Sequence, residues 1–551
     1  MPRSSLSSVL AFLIGVYALG VTSAQTIIHV PGTAPTIQAG ILMATDGDVV
    51  QVGPGSFTEA TIDLGGRAIT VRGDTAGTTI IGTFLFVTNE PPNTRLEGLS
   101  LQSSGDEVIR CTNSSPTIVD CEVSGQVMTA GKSCVAVLAD GASAIGGSTL
   151  SAAPLFSNCR FLLNTTSSAA TATVDLMAVS HGGGAQCAAT FSKCRFSGNS
   201  GGSAGAVRAH AQVPLLALAT NTPLFLDCVF DTNTSLGGLS GAVALSAHGT
   251  FALTAATLAN CMAFGNHGGA SGALTLLPIG LGSVSAKVIH CSLNDNAAVT
   301  PGNGNLLAAT GSTLVVWNSI IRGTGQMIAA AAPPFAIVTV ESSNVSGGYP
   351  GSGNMDVDPL WVNASVGELH LFADSPCIDA GDSAAPFLPL TDIDDQTRSP
   401  ATADMGADEA FLVGTFEDFT QTSLINNIGL PDQQEKDILE GDLLTLFSQS
   451  PGGSFFGGSP VIAAQFWGPT YTNGVPPASP GGYPELHINP FGGFILKAGG
   501  SLGPIPYGFS AHIPAGAGLG GVNCRIQSIV VDPSAANQQF AASHTLELSI
   551  Q

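Results

Sequence analysis

Basic residues are scarce in this chain: 16 Lys and Arg stand against 39 Asp and Glu in 551 residues, a net charge of −23. So acidic a surface repels a phosphate backbone or an anionic bilayer, which excludes nucleic acid as a partner. Charge of either sign is thin, at 10%, while 44% of the residues are hydrophobic, a balance that builds a core and is foreign to a disordered chain. Long hydrophobic runs are missing as well. The run from Val9 to Val21 has 13 residues, too few to span a bilayer, and no later stretch approaches that role. With Arg3 before it and Thr22-Ser23-Ala24 after it, the run marks residues 1–24 as a secretory signal peptide. The mature protein is therefore expected outside the cell, secreted or at the cell surface, with no transmembrane segment. No cysteine precedes Cys111, so a lipid-anchor cysteine is lacking too.

What is abundant is repetition. A cysteine, a hydrophobe two residues on and an amide three beyond that recur as Cys121-Val123-Gln126, Cys159-Phe161-Asn164, Cys194-Phe196-Asn199, Cys228-Phe230-Asn233, Cys261-Ala263-Asn266 and Cys291-Leu293-Asn296, with a weaker copy at Ser319 and Ile321. These cysteines lie 38, 35, 34, 33 and 30 residues apart, a period that belongs to stacked units. Residues two apart share one face of a strand, so Cys and Phe point inward together. The amide is expected to form the corner, because Asn tolerates the left-handed conformation. Gly205-Ala206-Val207, Gly241-Ala242-Val243 and Gly272-Ala273-Leu274 follow as a second strand in a narrow tube. Stacking at about 4.8 Å per turn would line up Cys, Phe and Asn in columns, which is a parallel β-helix. Six of the eleven cysteines fall in that column; they read as small buried hydrophobes, with pairing between adjacent turns as the alternative.

The Gly-Ala-Val and Phe-x-x-Asn phrases resemble the repeats of chlamydial polymorphic outer-membrane proteins and their bacterial relatives, within the right-handed parallel β-helix, pectate-lyase-like superfamily, over roughly residues 100–330. The opening, from Ile27-Ile28-His29-Val30-Pro31 through Gly55-Ser56-Phe57-Thr58-Glu59, is similar to the start of pectin-methylesterase-like β-helices. That resemblance carries fold and not chemistry: Ser240-Gly241-Ala242-Val243 lacks the family's Gln, and neither Asp-Phe-x-x-Gly nor Arg-Pro-Trp occurs. Residues 37–44 have a helical pattern suited to plug the open end of a tube.

From Asp356 the texture changes. Asp358-Pro359-Leu360-Trp361, Ser375-Pro376-Cys377-Ile378-Asp379, Asp392-Ile393-Asp394-Asp395 and Asp404-Met405-Gly406-Ala407-Asp408-Glu409 resemble the choice-of-anchor-type closing module of bacterial secreted proteins. Residues 354–442 hold nineteen Asp and Glu against two basic residues. Asp392, Asp394 and Asp395 offer hard oxygen ligands, so Ca2+ is the cofactor this cluster would take; otherwise these aspartates make turns and Arg398 closes the last turn of the tube. Beyond residue 412, Asp432–Glu440 is expected as a short helix or acidic linker. Short β-like runs separated by Pro and Gly then predict a sandwich, similar to a C-terminal module of secreted planctomycete proteins.

The expected fold is all-β: a right-handed parallel β-helix over 25–411, its closing module about 354–411, followed by a smaller β-sandwich over 412–551. Outward residues beside the ladder cysteines are the candidate site. Asp120, Glu122, Arg160, Lys193, Arg195 and Asp227 form a charged stripe over four turns that could bind a polysaccharide or another extracellular component. No complete catalytic set is recognised, and no cofactor is required. His181, His210, His248, His267 and His290 share no metal-ligand spacing. The expected role is structural, adhesive or glycan-binding; the alternative is a polysaccharide lyase or glycoside hydrolase working along an exposed face.

Overall fold

A computed structural model describes residues 25–550 except 75–76, 104–105, 129–130, 145–147, 215–216, 236, 302, 333–334, 372–374, 386, 388, 400–401, 411–418, 429–434, 451–453, 468–493, 504, 517–518, 520–521 and 532–539. The signal peptide and the boundary at 411/412 lie outside the described residues. Among those described, no helix is long and apolar enough to cross a membrane.

Two long parallel sheets wind together as a β-helix. One stacks strands from Ile27–Val30 to Ile337–Glu341; the other runs from Gly55–Asp63 to Asn344–Val345. Register is kept turn after turn: Phe161 lies opposite Phe196, which lies opposite Phe230. Inside, Phe161, Phe196 and Phe230 stack at 4.8 and 4.9 Å, and Phe156, Phe191 and Phe225 stack at 4.9 and 5.2 Å. Edge contacts of 5.5 to 6.0 Å link the two columns. These six rings are fully buried, so the tube is filled by its own repeat.

All eleven cysteines are buried and free. Ladder thiols donate to carbonyls of the preceding turn, Cys159 to Ile118 at 3.4 Å and Cys228 to Phe191 at 3.5 Å. Burial pushes the Cys121 thiol up to about 12, so it is inert at neutral pH. The column continues past Cys291 in Ser319 and Ser343, whose hydroxyls accept the backbone N–H of Cys291 and Ser319, each at 3.1 Å.

The corners correct the sequence expectation. The left-handed residue is not the amide. It precedes the cysteine, at Asp120, Asn158, Lys193, Asp227, Asn260 and His290, or the Leu99, Ser319 or Ser343 that takes the cysteine's place, at Gly98, Asn318 and Ser342, and, at the next corner, precedes the amide, at Gly125, Leu163, Gly198, Thr232, Gly265 and Asp295. A single left-handed residue turns the chain and leaves main-chain groups around the bend without strand partners. The amides turn inward to supply them. Asn199 donates to the Phe161 carbonyl and to Asn233 Oδ1, both at 2.8 Å, while Asn233 Oδ1 also accepts from Asn199 N at 3.1 Å. Asn164, Asn233 and Asn266 repeat the pattern, all fully buried.

Helix Ile37–Met43 covers the start of the tube, burying Ile37, Gly40 and Ile41. Its first N–H groups are met by Glu59, whose carboxylate accepts from Ile37 at 2.5 Å and Gln38 at 3.0 Å. Glu59 is thus part of the end cap.

A second correction concerns the Asp-rich module. Only its start meets the last turn, where Met355 bridges Asn344 and the Val357 carbonyl accepts from the Asn344 side chain at 2.9 Å; the rest lies along the flank. The outward column between Cys and Phe reads Glu122, Arg160, Arg195, Val229, Met262, Ser292, Ile320 in register. Its apolar half is covered: Trp361, Leu369, Leu371, Cys377 and Met405 bury Met262 and Ile320 in one cluster that Val229 joins. Arg398 reaches Asn260 at 3.0 Å on this flank. Ser352 and Met355 instead bond to the last turn, through Ser342 and Val345.

In the C-terminal part, antiparallel strands Thr420–Ile425, Leu443–Gln449 and Tyr507–His512 form one sheet. Glu435–Ile438, Phe540–Ile550, Asn523–Val531, Pro460–Trp467 and Phe494–Ala498 form the other. Leu444 and Leu446 of the first share a core with Ile462, Ile526 and Leu548 of the second. Glu435–Ile438, expected as helix or linker, is a strand because Ile438 enters that core. Residues 432–434, and 485–488, one of the short β-like runs of the sequence, lie outside the described residues.

Candidate functional site

The charged stripe divides in two. Its first part borders an open groove of 620 Å³ lined by Arg72, Asp74, Glu97, Asp120, Glu122 and Arg160 among others. Arg160 bridges to Glu122 at 2.7 Å, Arg72 to Glu97 at 3.1 Å and Arg95 to Glu97 at 3.4 Å. Asp120 accepts from Asn158 at 2.6 Å. The Arg160 side chain is 62% exposed and that of Arg72 45%, so both guanidinium groups are open to a ligand. Exposed pairs of this kind are worth about 0 to 1 kcal/mol, so an incoming anion or hydroxyl can displace them. Arg195, on the turn after Arg160, bonds Asp231 at 3.0 Å.

The rest of the stripe lies beside the module. Lys193 is held by Asp395 at 2.5 Å, and Asp227 accepts from Asn260 at 3.0 Å while burial pushes its carboxyl up. Lys193 thus serves as an anchoring point for the module while its side chain stays 43% exposed. A sequence signal for this exists: the outward column changes from Glu and Arg to Val, Met and Ile where the module sits.

A second polar cluster went unread in the sequence. On the outer face of Val174–Val179, Val207–Gln212 and Val243–His248, Arg208 donates to both Asp175 oxygens at 2.8 Å. His210 Nδ1 lies 2.8 Å from Ser246 Oγ, and burial, with Arg208 and His248 adding to it, holds the imidazole down to about 4. Alternation in Val207-Arg208-Ala209-His210-Ala211-Gln212 was the available clue, since small apolar residues inward leave Arg and His outward.

Within the module, the three aspartates expected to share a calcium ion are not brought together. Asp392 Oδ1 accepts from Asp394 N at 2.9 Å and Gln396 N at 2.7 Å, and its Oδ2 accepts from Glu409 N at 3.0 Å, so it builds the turn. Asp395 points to Lys193. Asp394 instead meets His370 Nε2 at 2.7 Å, and together with Asp408 these offer ligand atoms all within 4.8 Å of one another. Arg398, only 3% exposed, donates to Glu409 at 3.1 Å and to the carbonyls of Gly406 and Ala407 at 3.0 and 2.9 Å. Burial pushes Asp404 up to about 7, with Glu409 and Asp408 adding to it against the N–H bonds from Asp379 and Ala410.

No family model matches the chain, and no curated protein matches it. Residue roles therefore rest on geometry.

Proposed function

We propose that the protein is a secreted or cell-surface β-helix with a structural, adhesive or glycan-binding role, and that an extracellular polysaccharide lies in the groove at Arg72, Glu97, Glu122 and Arg160. One observation supports this reading above others: two exposed guanidinium groups and their carboxylate partners line one open groove on successive turns of a rigid scaffold. Planar guanidinium donors suit uronate carboxylates and vicinal hydroxyls, and the acidic partners accept from the remaining hydroxyls. Titrating the mature chain with uronate-rich and neutral polysaccharides tests it. Binding without release of unsaturated or reducing ends, weakened about tenfold by Arg160→Ala and unchanged by Lys193→Ala, is the expected result; loss of a pair of contacts to a charged ligand is worth roughly that much. No binding to any polysaccharide rejects it.

The second reading, a polysaccharide lyase or glycoside hydrolase, draws on the His210–Ser246 and Asp175–Arg208 cluster, which puts a neutral imidazole beside a hydroxyl on an outer face. New chain ends that vanish in His210→Asn would favour it.

A further inference from the structure

The flank module carries an arrangement that turn-making aspartates do not explain. His370 stands on strand Glu368–Leu371, Asp394 on the loop between Thr391 and Thr397, and Asp408 in the segment after Asp404. Asp408 is fully buried. Its Oδ2 accepts from Leu371 N at 2.6 Å, and its Oδ1 has no hydrogen-bond partner among the described residues. A carboxylate oxygen left so in the interior is costly unless something electropositive meets it. His370 and Asp394 border the same spot.

We infer that His370, Asp394 and Asp408 bind one divalent first-row transition metal ion, of the Zn2+ or Mn2+ class. Imidazole nitrogen with carboxylate oxygens suits such ions, whereas Ca2+ prefers six to eight oxygens. Glu368 already engages His370 Nδ1, which fixes the ring and leaves Nε2, 2.7 Å from Asp394, as the ligand atom. On binding, the ion takes the place of a proton on Nε2, and that proton leaves to solvent. A tetrahedral shell with bonds near 2.1 Å sets its ligand atoms about 3.4 Å apart, so Asp394 must draw back from Nε2, now 2.7 Å away, while separations of up to 4.8 Å close, and the exposed Asp394 loop supplies that movement. Three protein ligands leave a fourth position for water. The ion would tie together three segments of the module, including the loop whose Asp395 grips Lys193 on the tube.

The full mature chain, stripped with chelator, is dialysed against Zn2+, Mn2+ or Ca2+ and its metal content counted. About one equivalent of Zn2+ or Mn2+ is expected, uncontested by a hundredfold excess of Ca2+, with the melting temperature raised by several degrees. Asp408→Asn and Asp394→Asn should each weaken binding at least tenfold, the second from an exposed loop where the fold is not at stake; the conserved metal-free melting curve of Asp394→Asn checks this. Retention below a tenth of an equivalent, binding that neither variant alters, or preference for Ca2+ overturns the assignment.

Discussion

The tube and the module on its flank solve the same problem, covering a sheet, by opposite means. Inside the tube, neutral side chains repeat: Phe on Phe, thiol to carbonyl, Asn to Asn, each bond resembling the one a turn away. In the module, charge is concentrated, with Arg398, Asp392, Asp404, Asp408 and Glu409 all buried within one short stretch. Repetition spreads stability over many equivalent contacts, so no single turn is indispensable. Concentrated charge makes each group depend on its partners, because an ion stripped of its partner indoors is far worse than no ion at all.

The largest effect is therefore expected in the module. Arg398→Ala leaves the Glu409 carboxylate buried and unpaired and removes the link to Asn260. A loss of about 3 to 5 kcal/mol is expected, local to the module. Hydrogen exchange should show residues 356–410 opening while the Phe column stays protected; equal loss of protection in both regions would mean the two are one cooperative unit.

Acidity should push the two regions in opposite directions. In the module, Asp404 has its folded pKa raised to about 7 from 3.8, so the folded state holds the extra proton between those values. Its stabilising contribution is complete below about pH 4 and is lost as pH rises to 7, by at most about 4 kcal/mol. On the tube, His210 has its pKa lowered to about 4 from 6.5, so the sign reverses. That contribution is complete above about pH 6.5 and is lost as pH falls to 4, by at most about 3 kcal/mol. Exchange rates measured in chelator from pH 4 to 8 should cross, with Asp404→Asn and His210→Asn each flattening one slope. Parallel slopes would contradict the assignment of these groups.

How much of this could be read beforehand follows from the same contrast. Cys-x-Phe and its amide announced the tube because a side-chain column demands the same residue type on every turn. The corners before the ladder residues announced themselves only in part: Asp120, Asn158, Asp227, Asn260 and Asn318 are types that tolerate the left-handed conformation, but Lys193, His290 and Ser342 interrupt the series, so no single residue type marks every turn. The module's position did not announce itself. Arg398 and Asn260 are 138 residues apart, and a single long-range pair leaves no period to detect. His370, Asp394 and Asp408 come from three segments for the same reason, whereas Asp392, Asp394 and Asp395 are close in sequence and yet point apart.

Within the tube, Asn233→Leu tests whether the amide ladder is as distributed as the rings. It removes donors to the Phe196 carbonyl at 2.8 Å and to Asn266 at 2.9 Å, and an acceptor for Asn199 N at 3.1 Å. About 2 kcal/mol should be lost, since the groups left behind are buried. Urea midpoints for the same change at Asn199, Asn233 and Asn266 should agree closely. One position far more costly than its neighbours would show that the ladder is keyed at a single turn.

The smallest effect expected is a gain. The ring column Phe161, Phe196, Phe230 is broken at Ala263, and the next turn carries Leu293. Beside that break lies a void of about 10 Å³ lined by Phe230, Cys261, Leu274 and Leu293, apolar and barely the size of one water. Ala263→Val adds two methyl groups and a side chain suited to a strand. Because neighbouring turns can relax by only a little, about 1 kcal/mol of added stability is expected, well short of the full transfer value of the methyl groups. A higher urea midpoint at unchanged slope is the measurement. A lower one would mean the turns around Ala263 have already closed in, and that the repeat tolerates one missing ring by adjusting the backbone rather than by leaving space.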